Sequence, residues 1–98
     1  MCDTQGVIYK GREKGMNKYK EEFATEQSQR TLKEALIGAD VFIGVSSGNL
    51  LTADDVSKMA PKPIIFAMAN PVSEISPDEA RKGHPEVIIA TGRSDYPN

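Results

Sequence analysis

The chain has 98 residues, of which 39% are hydrophobic and 27% charged, a composition that fits a globular domain and excludes collagen-like, disordered and membrane classes. At this length it holds one domain at most. Twelve basic residues against fourteen acidic ones give a net charge of −2, with no aromatics interleaved among base-reading Arg or Asn, so no nucleic-acid partner is expected.

In chain order, Met1-Cys2-Asp3 reads as the tail of a strand, Thr4-Gln5-Gly6 as a turn, and Val7-Ile8-Tyr9 as a short extended piece. Residues 11–28 are polar, with a modest helical pattern from Asn17 to Ala24 around Tyr19 and Phe23, and read as a surface excursion. A native domain rarely begins in mid-strand, so Met1 is expected to be an internal methionine or the edge of a fragment. The basic cluster Lys10, Arg12, Lys14, Lys18 and Lys20 reads as a solvated face or a phosphate contact.

From residue 31 a unit repeats three times: a helix-start signature, a short helix, a turn and a compact apolar run. Thr31 with Glu34, Thr52 with Asp55, and Ser76 with Glu79 each set a hydroxyl three residues before a carboxylate, the spacing of a capping box, with Asp55 the weaker variant. Pro77 stands at a first helical position, where its missing N–H costs nothing. The runs Val41-Phe42-Ile43-Gly44-Val45, Ile64-Ile65-Phe66-Ala67-Met68 and Val87-Ile88-Ile89-Ala90 begin at 41, 64 and 87, a spacing of 23 residues. Continuous apolar runs suit strands buried on both faces. The predicted class is therefore α/β, a partial Rossmann-like parallel sheet with helices on both faces. Residues 1–30 precede three helix–strand units over 31–98, within a single incomplete domain. No run is long enough to cross a bilayer or serve as a signal peptide, so no membrane partner is expected.

Ligands of open parallel sheets bind beyond the carboxyl ends of the strands. Three segments lie there: Ser46-Ser47-Gly48-Asn49, Asn70-Pro71, and the polar stretch 91–98. The first combines small residues with hydroxyls and an amide, although any strand-to-helix turn favours such residues. Asn70 reads equally as an Asx-type turn or a ligand contact. Asp3 reads as a turn aspartate or as the acid that holds an adenosine ribose. His84, between Gly83 and Pro85, reads as an exposed turn residue instead of a general base. Cys2 reads as a small hydrophobe, since no histidine is near it in sequence. One cysteine and one histidine leave neither a disulfide nor a Cys/His metal set, and fit a cytoplasmic compartment.

The segments Cys2-Asp3-Thr4-Gln5-Gly6-Val7-Ile8-Tyr9-Lys10-Gly11-Arg12, Gly38-Ala39-Asp40-Val41-Phe42-Ile43-Gly44-Val45-Ser46, Pro63-Ile64-Ile65-Phe66-Ala67-Met68-Ala69-Asn70-Pro71 and Ala90-Thr91-Gly92-Arg93-Ser94-Asp95-Tyr96-Pro97-Asn98 resemble the NAD(P)-binding domain of malic enzymes, especially the bacterial type. The resemblance covers nearly every residue. It implies a parent enzyme, expected to be a homo-oligomer, that oxidises malate with NAD or NADP and decarboxylates the product to pyruvate with a divalent metal, Mg or Mn. It implies cofactor contacts from Asp3, Val45, Ser46, Ser47 and Asn70, with Asn70 also near substrate, and places Asn98 in a loop leading to a substrate-binding asparagine pair. Asp3 with no Arg after it leans towards NAD, with Lys10 or Arg12 able to take a 2′-phosphate. In the family order the catalytic lysine and tyrosine, the acidic metal ligands and the glycine-rich pyrophosphate loop lie upstream of Met1. No catalytic residue and no metal ligand is thus expected here, and the 98 residues alone are expected to be inactive. The alternatives are another Rossmann oxidoreductase, such as an amino-acid dehydrogenase, or a standalone nucleotide-binding or regulatory module.

Overall fold

A computed structural model describes residues 1–93, which form two compact units dividing after Ala35. In the first unit, β1 (Cys2–Asp3) and β2 (Gly6–Val7) pair antiparallel, with Cys2 opposite Val7 and Asp3 opposite Gly6. The opening strand thus pairs locally, through the turn at Thr4-Gln5. Gly6 has φ +97° and a Cβ there would strike the carbonyl of Arg30, so only glycine fits. Helix α1 (Lys18–Glu21) is capped by Asn17, whose side chain accepts from the backbone N–H groups of Tyr19 and Lys20. A parallel bridge between Tyr9 and Thr25 and the bond from Lys10 N to Thr25 O (3.0 Å) tie the polar excursion down.

An ionic cluster organises this unit. Arg12 grips Asp3 with two parallel bonds, Nη1 to Oδ1 at 2.9 Å and Nη2 to Oδ2 at 2.6 Å. Lys20 Nζ adds a third at 2.7 Å to Oδ2, and the N–H of Gln5 a fourth at 2.9 Å to Oδ1. The Arg12 side chain is only 5% exposed and also donates to Val7 O. Val7 and Ile8 supply the buried apolar contacts.

Helix α2 (Leu32–Leu36) follows a complete capping box, Glu34 N to Thr31 Oγ1 at 3.1 Å and Thr31 N to Glu34 Oε1 at 3.0 Å. In the second unit β3 (Val41–Gly44), β4 (Ile64–Ala67) and β5 (Ile88–Thr91) form a parallel sheet in that order. The register sets Val41 opposite Ile64 and Ile64 opposite Ile88, so all three carboxyl ends lie on one edge. Helix α3 (Ala53–Ser57) carries a full box between Thr52 and Asp55, while α4 (Pro77–Gly83) has only the Ser76 half. Glu79 turns away to Lys82 Nζ (3.0 Å), so the aspartate box, the weaker by residue type, is the more complete.

The core of this unit joins Phe42, Ile65 and Ala67 of the sheet to Val56, Met59, Ala80, Leu51 and Ile75. Alternate strand residues face the other way: Ile43 is 63% and Ile88 62% exposed, with Val41 and Phe66 also open. The α/β class and parallel sheet are as the sequence predicts, but in this chain one sheet face is covered and the other is apolar and open. The continuous runs are the residues of both faces read together.

Two expected outcomes follow from these contacts. Helix-interior Gly→Ala changes normally stabilise by up to about 1 kcal/mol, but a Cβ on Gly83 would collide with Ala53 O and approach Val56 Cβ to 2.9 Å. Gly83→Ala should instead destabilise by about 1–3 kcal/mol in urea unfolding of the protein carrying this domain; a stabilised variant would refute the close approach of α3 and α4. Hydrogen bonds from Arg12 and then from Lys20 hold the Asp3 carboxyl well below the usual carboxylate range. A depressed folded-state value contributes stability above the unfolded pKa of about 3.9, and that stability is lost as pH falls through the folded value. The gap in unfolding midpoint between wild type and Asp3→Asn should therefore be constant from about pH 6 to 8 and narrow below about pH 4. A gap that closes already near neutrality contradicts the cluster.

Candidate functional site

The carboxyl edge of the sheet is where parallel strands leave backbone donors without ladder partners, and the chain there turns outward in successive loops. After β3, Val45, Ser46 and Ser47 are all exposed. Among the described residues neither serine hydroxyl is engaged in an intramolecular hydrogen bond, so both are available to a ligand. Gly48 and Asn49 do something different. A Cβ on Gly48 would lie 2.8 Å from Val72, and Asn49 adopts a left-handed φ of +58° while its N–H donates to Ser73 O at 3.0 Å. The Ser-Ser-Gly-Asn loop is thus divided into an outward pair and a pair that docks on residues 72–73.

After β4, Met68 N continues the ladder to Gly44 O at 2.9 Å, Ala69 is buried, and Asn70 emerges exposed ahead of a cis peptide bond to Pro71. Its side-chain amide makes no hydrogen bond among the described residues, so the Asx-type turn, one of its two sequence readings, is not formed. After β5, Gly92 N reaches Ala67 O at 3.3 Å and Arg93 N reaches Thr91 Oγ1 at 3.3 Å. The remainder of that loop, with Asn98, lies outside the described residues.

The connection between these loops is a residue that sequence reasoning missed. Glu74 is fully buried, and its carboxylate accepts from Ala69 N through Oε1 (3.0 Å) and from Ser46 N through Oε2 (3.3 Å). Its own carbonyl accepts from Leu51 N at 3.0 Å. In sequence it looks like one more acid in a solvated loop, and nothing in its spacing signals burial.

Val45, Ser46, Ser47 and Asn70 are therefore gathered on one unit. Asp3 belongs to the other, where both its oxygens are engaged. A carboxylate offers about four acceptor positions, and Gln5, Arg12 twice and Lys20 fill them. Of the two candidate 2′-phosphate groups, Arg12 is committed to Asp3, and Lys10 pairs with Glu26 at 3.0 Å on the open surface. Cys2 lacks a nucleophile's environment: burial, the largest influence on it, pushes its thiol upward. His84 ends α4, its backbone N–H donating to Ala80 O (2.9 Å) and its Nε2 lying 3.4 Å from Met59 O, a structural position.

The uncommitted hydroxyls and amide on a small-residue edge fit the ribose and amide groups of a dinucleotide. No group of three or more His, Cys, Asp or Glu among the described residues is arranged to hold a metal ion. No helix among them is long and apolar enough to cross a membrane.

Comparison with known proteins identifies the family. Residues 1–96 match the family described as the malic enzyme, NAD binding domain. The chain is 59% identical over its whole length to a probable NADP-dependent malic enzyme of Rickettsia prowazekii, and covers 13% of that protein. An NAD-dependent malic enzyme of Rhizobium meliloti is 46% identical over 98% of the chain, which covers 12% of it. The crystal structure of an NAD-dependent malic enzyme from Thermotoga maritima superposes with a TM-score of 0.85 at 46% identity, over 95% of this chain and 26% of that one. The chain spans about one eighth of the length of the first two relatives. A full-length match at this identity, on the same parallel sheet, places the chain in the malic enzyme family, as part of its NAD(P)-binding domain.

Proposed function

We propose that this segment lines the dinucleotide cleft of an enzyme that oxidatively decarboxylates malate to pyruvate and CO2 using NAD or NADP. The observation that carries the reading is the edge where β3 and β4 end, on which the exposed side chains of Ser46, Ser47 and Asn70 present polar groups that no hydrogen bond among the described residues uses. When bound, NAD(P) supplies the hydride acceptor. The chain's own residues bind and orient: Ser46 and Ser47 hydrogen-bond ribose or phosphate oxygens, Val45 offers an apolar wall, and Asn70 donates and accepts beside the nicotinamide ribose or the substrate. Family membership argues against the amino-acid dehydrogenase alternative.

Asp3 remains a ribose ligand in this proposal. Lys20, 31% exposed against 5% for Arg12, is the partner that a ribose hydroxyl would displace. A Mg or Mn ion belongs to the parent enzyme, with ligands supplied from other segments. A cytoplasmic location without nucleic-acid or membrane partners completes the proposal, supported by the single cysteine, the near-neutral charge and the short apolar runs, and a homo-oligomeric parent is part of it on the family resemblance alone.

In the full-length enzyme, Ser47→Leu and Asn70→Ala should each raise the KM for NAD(P) about tenfold, a loss of about 1.4 kcal/mol in binding, with the unfolding midpoint unchanged. Steady-state kinetics at varied cofactor decides it, and an unaltered cofactor KM in both variants sinks the cleft assignment. The 98 residues alone should form no NAD(P)H from malate; measurable turnover would overturn the division of labour proposed here.

A further inference from the structure

We infer that Glu74 is a positioning residue for the cofactor, setting the spacing between the loops after β3 and β4. This rests on the cleft reading above and adds to it a residue that does not itself face the ligand. The geometry is specific. Oε2 accepts from Ser46 N and Oε1 from Ala69 N, the amides of a residue in the first loop and of the residue preceding Asn70. One planar carboxylate therefore fixes the distance between the two groups of ligand-facing side chains.

Three further contacts hold the carboxylate in place. Leu51 N donates to Glu74 O, Asn49 N donates to Ser73 O, and Ser73 Oγ donates to Ile75 O at 2.8 Å, so the backbone around Glu74 is itself anchored. Gly44, the last residue of β3, packs directly against the carboxylate, and a Cβ there would overlap it. No ion pair among the described residues reaches Glu74.

The chemistry requires an acid. Both partners are N–H donors, and an ionised carboxylate is acceptor-only, whereas an amide turns one of its two ends into a donor. Gln in this position would match one loop and oppose the other. Asp would keep the carboxylate's two acceptor oxygens but, one methylene shorter, reach only one loop.

The test uses the full-length enzyme with NAD+ or NADP+. Glu74→Gln and Glu74→Asp should each raise the cofactor KM about tenfold, while kcat at saturating cofactor stays within about threefold. A lowered unfolding midpoint with wild-type cofactor KM would show a merely structural role and overturn the inference. Hydrogen exchange on the wild-type enzyme decides the matter even if the variants fail to fold. The amides of Ser46 and Ala69 should be protected, and protection at both should rise together on addition of cofactor; an unprotected Ser46 amide, free and bound, overturns it. Ser47→Leu and Asn70→Ala separate the two claims. If they leave the cofactor KM unchanged, the cleft reading fails, whereas if they raise it and the Glu74 variants do not, only the positioning role fails.

Discussion

Parallel strands that stop on one edge leave amides pointing past the last ladder bond, and the second unit depends on how those amides are satisfied. A buried donor without an acceptor costs about 1–3 kcal/mol, and water cannot reach Ala69, which is 4% exposed. Glu74 answers the constraint with a single side chain that serves two strand ends. Its burial in turn dictates a glycine at 44, since any side chain there would occupy the space of the carboxylate. In the loop after β3, Gly48 is crowded by Val72 and the Asn49 N–H is bound to Ser73 O, whereas Val45, Ser46 and Ser47 are exposed.

The first unit solves a comparable problem with opposite means. It has few buried apolar residues, Val7 and Ile8 chief among them, so a short hairpin and a one-turn helix are held by charge. Breaking one partner of a buried ion pair leaves the other charge desolvated and is far more costly than the pair's net stabilisation. The Arg12 guanidinium, almost wholly covered and bound to Asp3 at two points, makes the arrangement hard to rearrange piecemeal. Lys20 stands on the wetter side of the same carboxylate.

Much of this was legible in the residues. Hydroxyl–carboxylate spacing located helix starts at Thr31, Thr52 and Ser76, and the 23-residue recurrence of apolar runs located three parallel strands to within a residue at their start. Those signals are local or periodic, and local chemistry dominates them. The strengths of the boxes were less legible, because Glu79 has Lys82 three residues on and takes it in preference to the Ser76 N–H. Residue type ranks the boxes; competing partners decide them. The covering of the sheet was half legible: an apolar run reports that both faces repel water, without reporting which segment covers each.

Glu74 was not legible at all, for a reason that applies to buried acids in general. Its two partners, Ser46 and Ala69, lie 28 and 5 residues away in sequence, and what they donate is backbone N–H, which every residue but proline carries. A side chain whose partners are main-chain groups has no complementary residue type to reveal it. The same logic explains Arg12 in reverse. Its partner Asp3 is a side chain of opposite charge, so the pair was open to discovery, but the basic residues around it read as a solvated face or a phosphate contact. Burial, not pairing, distinguishes Arg12 from its basic neighbours: its side chain is 5% exposed, against 31% for Lys20 and 61% for Lys10. The residues proposed to face a ligand are suggested by type and position on the sheet edge, whereas Glu74, which joins the two loops, is visible only once β3 and β4 lie side by side.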